Sequence, residues 1–178
     1  MPVAWFDDRL ALRRSRLGGF GTFALRPIDP GQTIIVRAHR LLRAVEPPPV
    51  EIGYILPWAR DHWIWLPPDD DTAPDQLLNH SCAPNVGLAD ALTFMTRRAI
   101  AADEELAVDY ALGELDPTWV APFRCRCGAP ECRGIPTGRD WERPELQERH
   151  AGWFHPQLAA RIGARRPAEA APGRIVAR

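Results

Sequence analysis

Four thiols stand in this chain, one within Asn79-His80-Ser81-Cys82-Ala83-Pro84-Asn85 and three within Cys125-Arg126-Cys127-Gly128-Ala129-Pro130-Glu131-Cys132. A Cys-x-Cys-x4-Cys cluster in a chain read as intracellular favours metal ligation over disulfides. Cys125, Cys127 and Cys132 would supply three thiolates from one short loop, and Cys82 the fourth, giving a closed tetrahedral zinc site of the structural kind. His80 or His62 in place of Cys82 is a less economical set. The ion would staple a glycine- and proline-rich loop onto the Cys82 segment and give it order. Asn79 and His80 raise a separate question, because they follow the apolar pair Leu77-Leu78 into what reads as core. An unpaired buried polar group costs about 1–3 kcal/mol, so each needs a partner from the protein or from a ligand.

The elements that position these groups read mostly as short strands. Gly18-Gly19 and Gly21 punctuate the first region, and Asp29-Pro30-Gly31 makes a tight turn. The β-branched Thr33-Ile34-Ile35-Val36 predicts a strand, as does His62-Trp63-Ile64-Trp65-Leu66. Three prolines at 47–49 exclude helix from that segment. Residues 87–100 read as strand, turn, strand, with Ala89-Asp90-Ala91 at the turn, and 103–110 as a strand end. Beyond residue 134 the character changes. Pro144 and Pro156 stand where a first helical turn accepts proline, predicting two short helices, the second ending on Gly163. Residues 164–178 are Arg, Ala, Pro and Glu in large part, which predicts a disordered tail.

Composition sets outer bounds. The 178 residues suit one domain with a tail, and 46% hydrophobic content supports a real core. A net charge of −1 argues against a broad nucleic-acid-binding face. No apolar run approaches a membrane span, and the N-terminus lacks the order of a signal peptide, so a soluble, cytoplasmic or otherwise intracellular protein is expected. All 22 basic residues are Arg. The complete absence of Lys is read as coding bias; it also means the chain offers no lysine side chain of its own.

Taken together, "GGFGTFALRPIDPGQTI", "LLNHSCAPN", "DEELAVDY" and "CRCGAPECRG" occur in the order of the SET-domain protein methyltransferases, and the chain resembles that family from about Arg13 to Gly134. The last piece is similar to the post-SET zinc loop. The many short strands and few helices read above point to a mainly β domain with short C-terminal helices, and the resemblance implies that its strands form a β-clip fold of small curved sheets around a pseudoknot. With the helices and tail read above from proline placement and composition, the chain divides into a SET domain (1–120), a post-SET zinc loop (121–136), a helical appendage (137–163) and the tail (164–178). The resemblance implies S-adenosylmethionine as cofactor and S-adenosylhomocysteine as product. Gly19, Phe20 and Gly21 would wrap the methionine part, Asn79 and His80 would reach the amino group and adenine, and Phe123 would cover the adenine.

The implied reaction is methyl transfer to a protein lysine. The acceptor must be a neutral amine, whereas a free lysine has a pKa of about 10.4, so an apolar channel has to disfavour the ammonium. Tyr110, ending "AVDY", matches the family's catalytic tyrosine, and Tyr54 resembles the second tyrosine of the lysine channel. Three positions depart from the family pattern: Gln76 replaces a basic residue, Asp103 replaces a glycine, and Val108 replaces an aromatic that limits methylation state. The smaller Val108 predicts more than one methyl per lysine. The acidic run Asp69-Asp70-Asp71 with Asp75, and the pair Glu104-Glu105, could attract a basic peptide or be solvated loops. The expected partner is a protein or peptide carrying a lysine, with no membrane and no direct nucleic acid; the C-terminal helices could close the peptide groove or form a dimer. The compact length suggests a stand-alone enzyme. The alternative is a catalytically weak or inactive SET-like module that binds cofactor or a basic peptide.

Overall fold

The computed structural model describes residues 5–37, 40–43, 54–59, 62–66 and 78–165, the three short middle pieces as backbone alone. The acidic run with Asp75, Gln76, the triple proline and residues 166–178 lie outside the described residues, as do the side chains of Tyr54 and His62.

Short β-rich segments separated by glycine, proline and Asx turns become eleven strands among the described residues. These are β1 (Trp5–Phe6), β2 (Leu10–Arg14), β3 (Phe20–Ala24), β4 (Thr33–Val36), β5 (Arg40–Arg43), β6 (Tyr54–Ala59), β7 (His62–Leu66), β8 (Asn79–His80), β9 (Val86–Leu88), β10 (Thr93–Thr96) and β11 (Glu105–Val108). Eight form one sheet in the order β1-β4-β10-β9-β11-β3-β2, with β8 added on β11. β8 and β9 run parallel to β11, and the other pairings of that sheet are antiparallel. β5, β7 and β6 form a separate antiparallel sheet. The mainly β expectation holds.

Local chemistry explains the corners. The Asp90 carboxylate accepts the N–H groups of Leu92 and Thr93, closing the turn between β9 and β10 where the sequence places it. Asp103 stands at φ +63°, the conformation that glycine adopts without strain, so the chain makes this turn without the glycine that the resemblance leads one to expect.

Ile28, Ile34, Ile35, Val86, Leu106 and Leu112 centre the core. Trp141, Phe154 and Leu158 join the same apolar cluster. They come from the C-terminal segment, which carries α1 (Pro144–Arg149) and α2 (Pro156–Arg165). Backbone bonds fix it further: His155 N–H donates to Leu112 O and Leu88 N–H to Trp153 O. The Trp153 ring lies over Gly87, where an added Cβ would come within 2.4 Å of it. α2 does not end on Gly163. Its last turn runs two residues further because Arg165 stacks on Trp141 at 4.6 Å and pairs with Glu142, which offsets the roughly 1 kcal/mol cost of an internal glycine.

Candidate active site

The turn between β2 and β3 brings backbone carbonyls towards β8. Gly19 takes φ +52°, a conformation that disfavours any side chain, and Ser15 N–H closes the turn on Gly19 O. Asn79 Nδ2 then donates to Gly18 O at 3.3 Å, Phe20 O at 3.0 Å and Glu105 Oε1 at 2.7 Å. Ser15 Oγ donates to the same carboxylate. An added Cβ on Gly21 would stand 2.1 Å from Glu105 Oε1 and 2.8 Å from Asn79 Nδ2, so any side chain here would displace the carboxylate–amide pair. Glu105 is therefore a brace tying β11 to the glycine turn.

Glu104 is occupied in the same manner, accepting from Asn85 Nδ2, Arg98 and the Ala101 N–H. The expectation that Glu104-Glu105 attracts a peptide or is merely solvated is thus corrected, since both carboxylates are taken by donors of the protein. Asn85 sets the register beside them, accepting from Ala107 N–H and donating to Glu105 O.

His80 is buried, and burial brings its pKa down to about 4, with the Asp109 charge opposing and the Arg133 charge reinforcing the shift. The neutral ring accepts the Tyr110 N–H at Nδ1 (3.2 Å), which leaves the proton on Nε2, 3.3 Å from Cys82 Sγ. With both ring nitrogens engaged inside the protein, only the backbone of His80 remains to meet a ligand. Tyr110 follows in a 3₁₀ turn (Tyr110–Leu112) capped by Asp109, whose carboxylate accepts the Ala111 N–H. Its hydroxyl donates to Leu78 O at 3.2 Å. Burial holds the phenol above its usual pKa, so it is intact at neutral pH. Edge-on rings surround it: His80 at 5.1 Å, Trp119 at 6.1 Å and Phe123 at 6.2 Å.

The four thiols converge. Sγ of Cys82, Cys125, Cys127 and Cys132 lie within 4.8 Å of one another, and Cys82 and Cys125 are 4.0 Å apart. A tetrahedral ion with bonds of about 2.3 Å places sulfurs about 3.8 Å apart, so the cluster can hold a metal ion. Burial pushes the Cys82 thiol up and the Cys125 thiol up to about 11. Burial acts on Cys127 too, but amide donors from Ala129 and Cys82 and the neighbouring thiols bring it down to about 7. A central cation favours the thiolates. The loop is closed at its base by Gly138 N–H to Trp119 O and Ala121 N–H to Pro136 O, and higher up by Cys125 N–H to Gly134 O.

Beneath Tyr110 lies a buried ionic cluster. Arg133 forks onto Asp109 with bonds of 2.8 and 2.6 Å and reaches Asp140 at 2.7 Å, all three side chains at most 5% exposed. His150 accepts from Arg97 at Nδ1, which turns its protonated Nε2 towards Asp109 at 3.5 Å. Burial alone would raise the Asp109 pKa, but these donors and charges hold it well below the usual carboxylate range.

A family model described as the SET domain matches residues 19–111. The chain belongs to the SET-domain family. Its curated relatives include histone-lysine N-methyltransferase ATX2 of Arabidopsis thaliana, 29% identical over 155 residues, covering 73% of this chain and 13% of that protein. Histone-lysine N-methyltransferase TRX1 of Oryza sativa is 31% identical, covering 74% and 14%. Histone H3-lysine(4) N-trimethyltransferase ATX1 of Arabidopsis thaliana is 28% identical over 162 residues, covering 82% and 14%. The chain thus spans a small part of the length of these relatives. Among the described residues no helix is long and apolar enough to cross a membrane.

Among the SET-domain motif residues, Gly19, Phe20, Gly21, Asn79, His80 and Tyr110 form one linked constellation, with Phe123 beside Tyr110 and the four cysteines gathered behind His80. Tyr54 begins β6. Val108 is 8% exposed within the core cluster. Sequence reasoning missed the bracing role of Glu105, and it missed Trp119 and the Arg133–Asp109–Asp140 cluster altogether. The local signals for them are Arg133 directly after Cys132 and Asp109 directly before Tyr110.

Proposed function

We propose that this chain transfers methyl groups from S-adenosylmethionine to the side-chain amine of a protein lysine, with Tyr110 as catalytic residue. The observation carrying this reading is that the Tyr110 hydroxyl meets the carbonyl of Leu78, beside the strand whose Asn79 holds the glycine turn. When bound, S-adenosylmethionine supplies an electrophilic methyl on a sulfonium. Gly19, Phe20, Gly21 and Asn79 would hold its methionine end. The fit is good: Asn79 Nδ2 is spent on the protein, while no described residue donates to Oδ1, leaving an acceptor for an ammonium. The backbone of His80 and the half-exposed Phe123 ring would hold the adenine.

Tyr110, as an intact phenol, orients the incoming amine through hydrogen bonding. Its ring, with Trp119, walls an apolar approach that disfavours the ammonium form of the acceptor. Tyr54 is carried over from the family resemblance alone as the second tyrosine of that channel. Alignment is worth several kcal/mol without a dedicated base. Cys82, Cys125, Cys127 and Cys132 hold one structural zinc. Val108 leaves space for more than one methyl, a reading favoured by the trimethyltransferase name of the Arabidopsis relative. A basic protein of histone type is the first candidate substrate, as the names of the relatives suggest.

The test is incubation of the full chain with methyl-labelled cofactor and histones. Tyr110→Phe is expected to lower kcat by about 100-fold while S-adenosylhomocysteine binding stays within about threefold. Unchanged transfer in that variant removes Tyr110 from the chemistry, and wild-type protein that binds S-adenosylhomocysteine but labels nothing favours a cofactor-binding module.

A further inference from the structure

Arg133 touches three parts of the molecule at once. Its backbone N–H donates to Cys82 Sγ at 3.4 Å, so it lies against the thiol cluster and follows one of its ligands directly. Its guanidinium forks onto Asp109, and Asp109 caps the turn that carries Tyr110. Its Nε donates to Asp140, which in turn accepts from Thr137 at the start of the C-terminal segment. The side chain is 5% exposed and its two carboxylates 0% and 1%, so none of these charges has water as a substitute partner. A planar fork satisfies two carboxylates in a way that an ammonium cannot.

We propose that Arg133 is the positioning residue that couples the thiol-bound metal to the Tyr110 turn, so that an ordered cysteine loop sets the placement of the phenol. The proposal rests on the reading of Tyr110 as catalytic. Cys132 and Cys82 fix the Arg133 backbone, Arg133 fixes Asp109, and Asp109 fixes the amide of Ala111. Arg133 itself has no contact with the Tyr110 ring among its hydrogen bonds. Its influence on turnover passes through the backbone of the turn.

The chain's two tyrosines allow this to be observed directly. Full-length protein labelled with 3-fluorotyrosine gives two ¹⁹F resonances, and Tyr54→Phe assigns the one from Tyr110. In zinc-loaded Arg133→Lys the metal content is expected to stay at one per chain, while the Tyr110 resonance moves towards its position in chelated wild type. In the same variant kcat is expected to fall about tenfold or more, with KM for peptide and cofactor within about threefold. Asp140→Asn, which removes one anchor of the guanidinium, should move both readouts in the same direction by less, and decides the matter if Arg133→Lys does not fold. A zinc-loaded variant with the wild-type Tyr110 resonance overturns the coupling. So does a kcat loss that only follows loss of zinc. If wild-type protein transfers no methyl group at all, the reading of Tyr110 fails, and the resonance alone still decides whether Arg133 couples loop to turn.

Discussion

The cysteine loop and the C-terminal helices flank the same buried Arg133–Asp109 pair but are held by different physics. Between Phe123 and Ile135 the loop fully buries no apolar side chain; what holds it together is a convergence of four thiols, the Arg133 ion pairs and a few backbone bonds. The helical segment buries Trp141, Leu146, Phe154 and Leu158, each of which stabilises by about 1.5–3 kcal/mol. On the proposed zinc site, one region would be conditional on an ion and the other on exclusion of water. Asp109 joins them, since Arg133 approaches it from the loop and His150 from the end of α1.

That contrast can be broken from either side. The largest effect is expected on the loop. Cys127→Ser, or chelation of the wild type, should raise amide hydrogen exchange across 123–135 by orders of magnitude and abolish methyl transfer, while α1 and α2 keep their protection. Equal loss of protection in both regions would show that the helices depend on the metal too. Leu158→Ala should act in the opposite sense, lowering unfolding free energy in urea by about 2–5 kcal/mol while leaving zinc stoichiometry intact.

A smaller effect concerns acid. Burial brings His155 down to about 4, the charges of Arg37 and Arg161 pushing the same way and Asp90 opposing. The unfolded chain binds this proton near pH 6.5 and the folded one only near 4, so the contribution is complete above about 6.5 and is lost as pH falls towards 4. With 4% exposure this amounts to about 3 kcal/mol at most. Thermal unfolding of His155→Gln against pH should show a shallower decline than the wild type over that interval, and parallel curves would remove His155 as the cause.

Much of the site was legible because its residues carry unusual chemistry at fixed spacing. Cys-x-Cys-x4-Cys announces a ligand cluster before any fold is known, and Asn79-His80 inside an apolar run asks for partners. The strands were legible where β-branching and turn residues agree, as at Thr33–Val36 and around Asp90. What escaped is pairing across distance. Glu105 reads as one of two acids in a turn until β3 and β11 are seen side by side with Ser15 and Asn79 above them. Arg133 is one of 22 arginines, and its importance follows from which carboxylates the fold carries to it. The helices were visible through Pro144 and Pro156, but their place against Leu112 and Gly87 depends on packing that no local pattern encodes.

β8 is only two residues long, and its neighbours on the chain face different ways: Asn79 towards the glycine turn, His80 towards the thiols. Sliding it by a single place along β11 would exchange those destinations and spoil both ends together. The Asn85 bonds to Glu105 and Ala107 pin the segment that follows β8 onto β11, and with the bonds of Asn79 and His80 they keep two chemically unrelated centres in step.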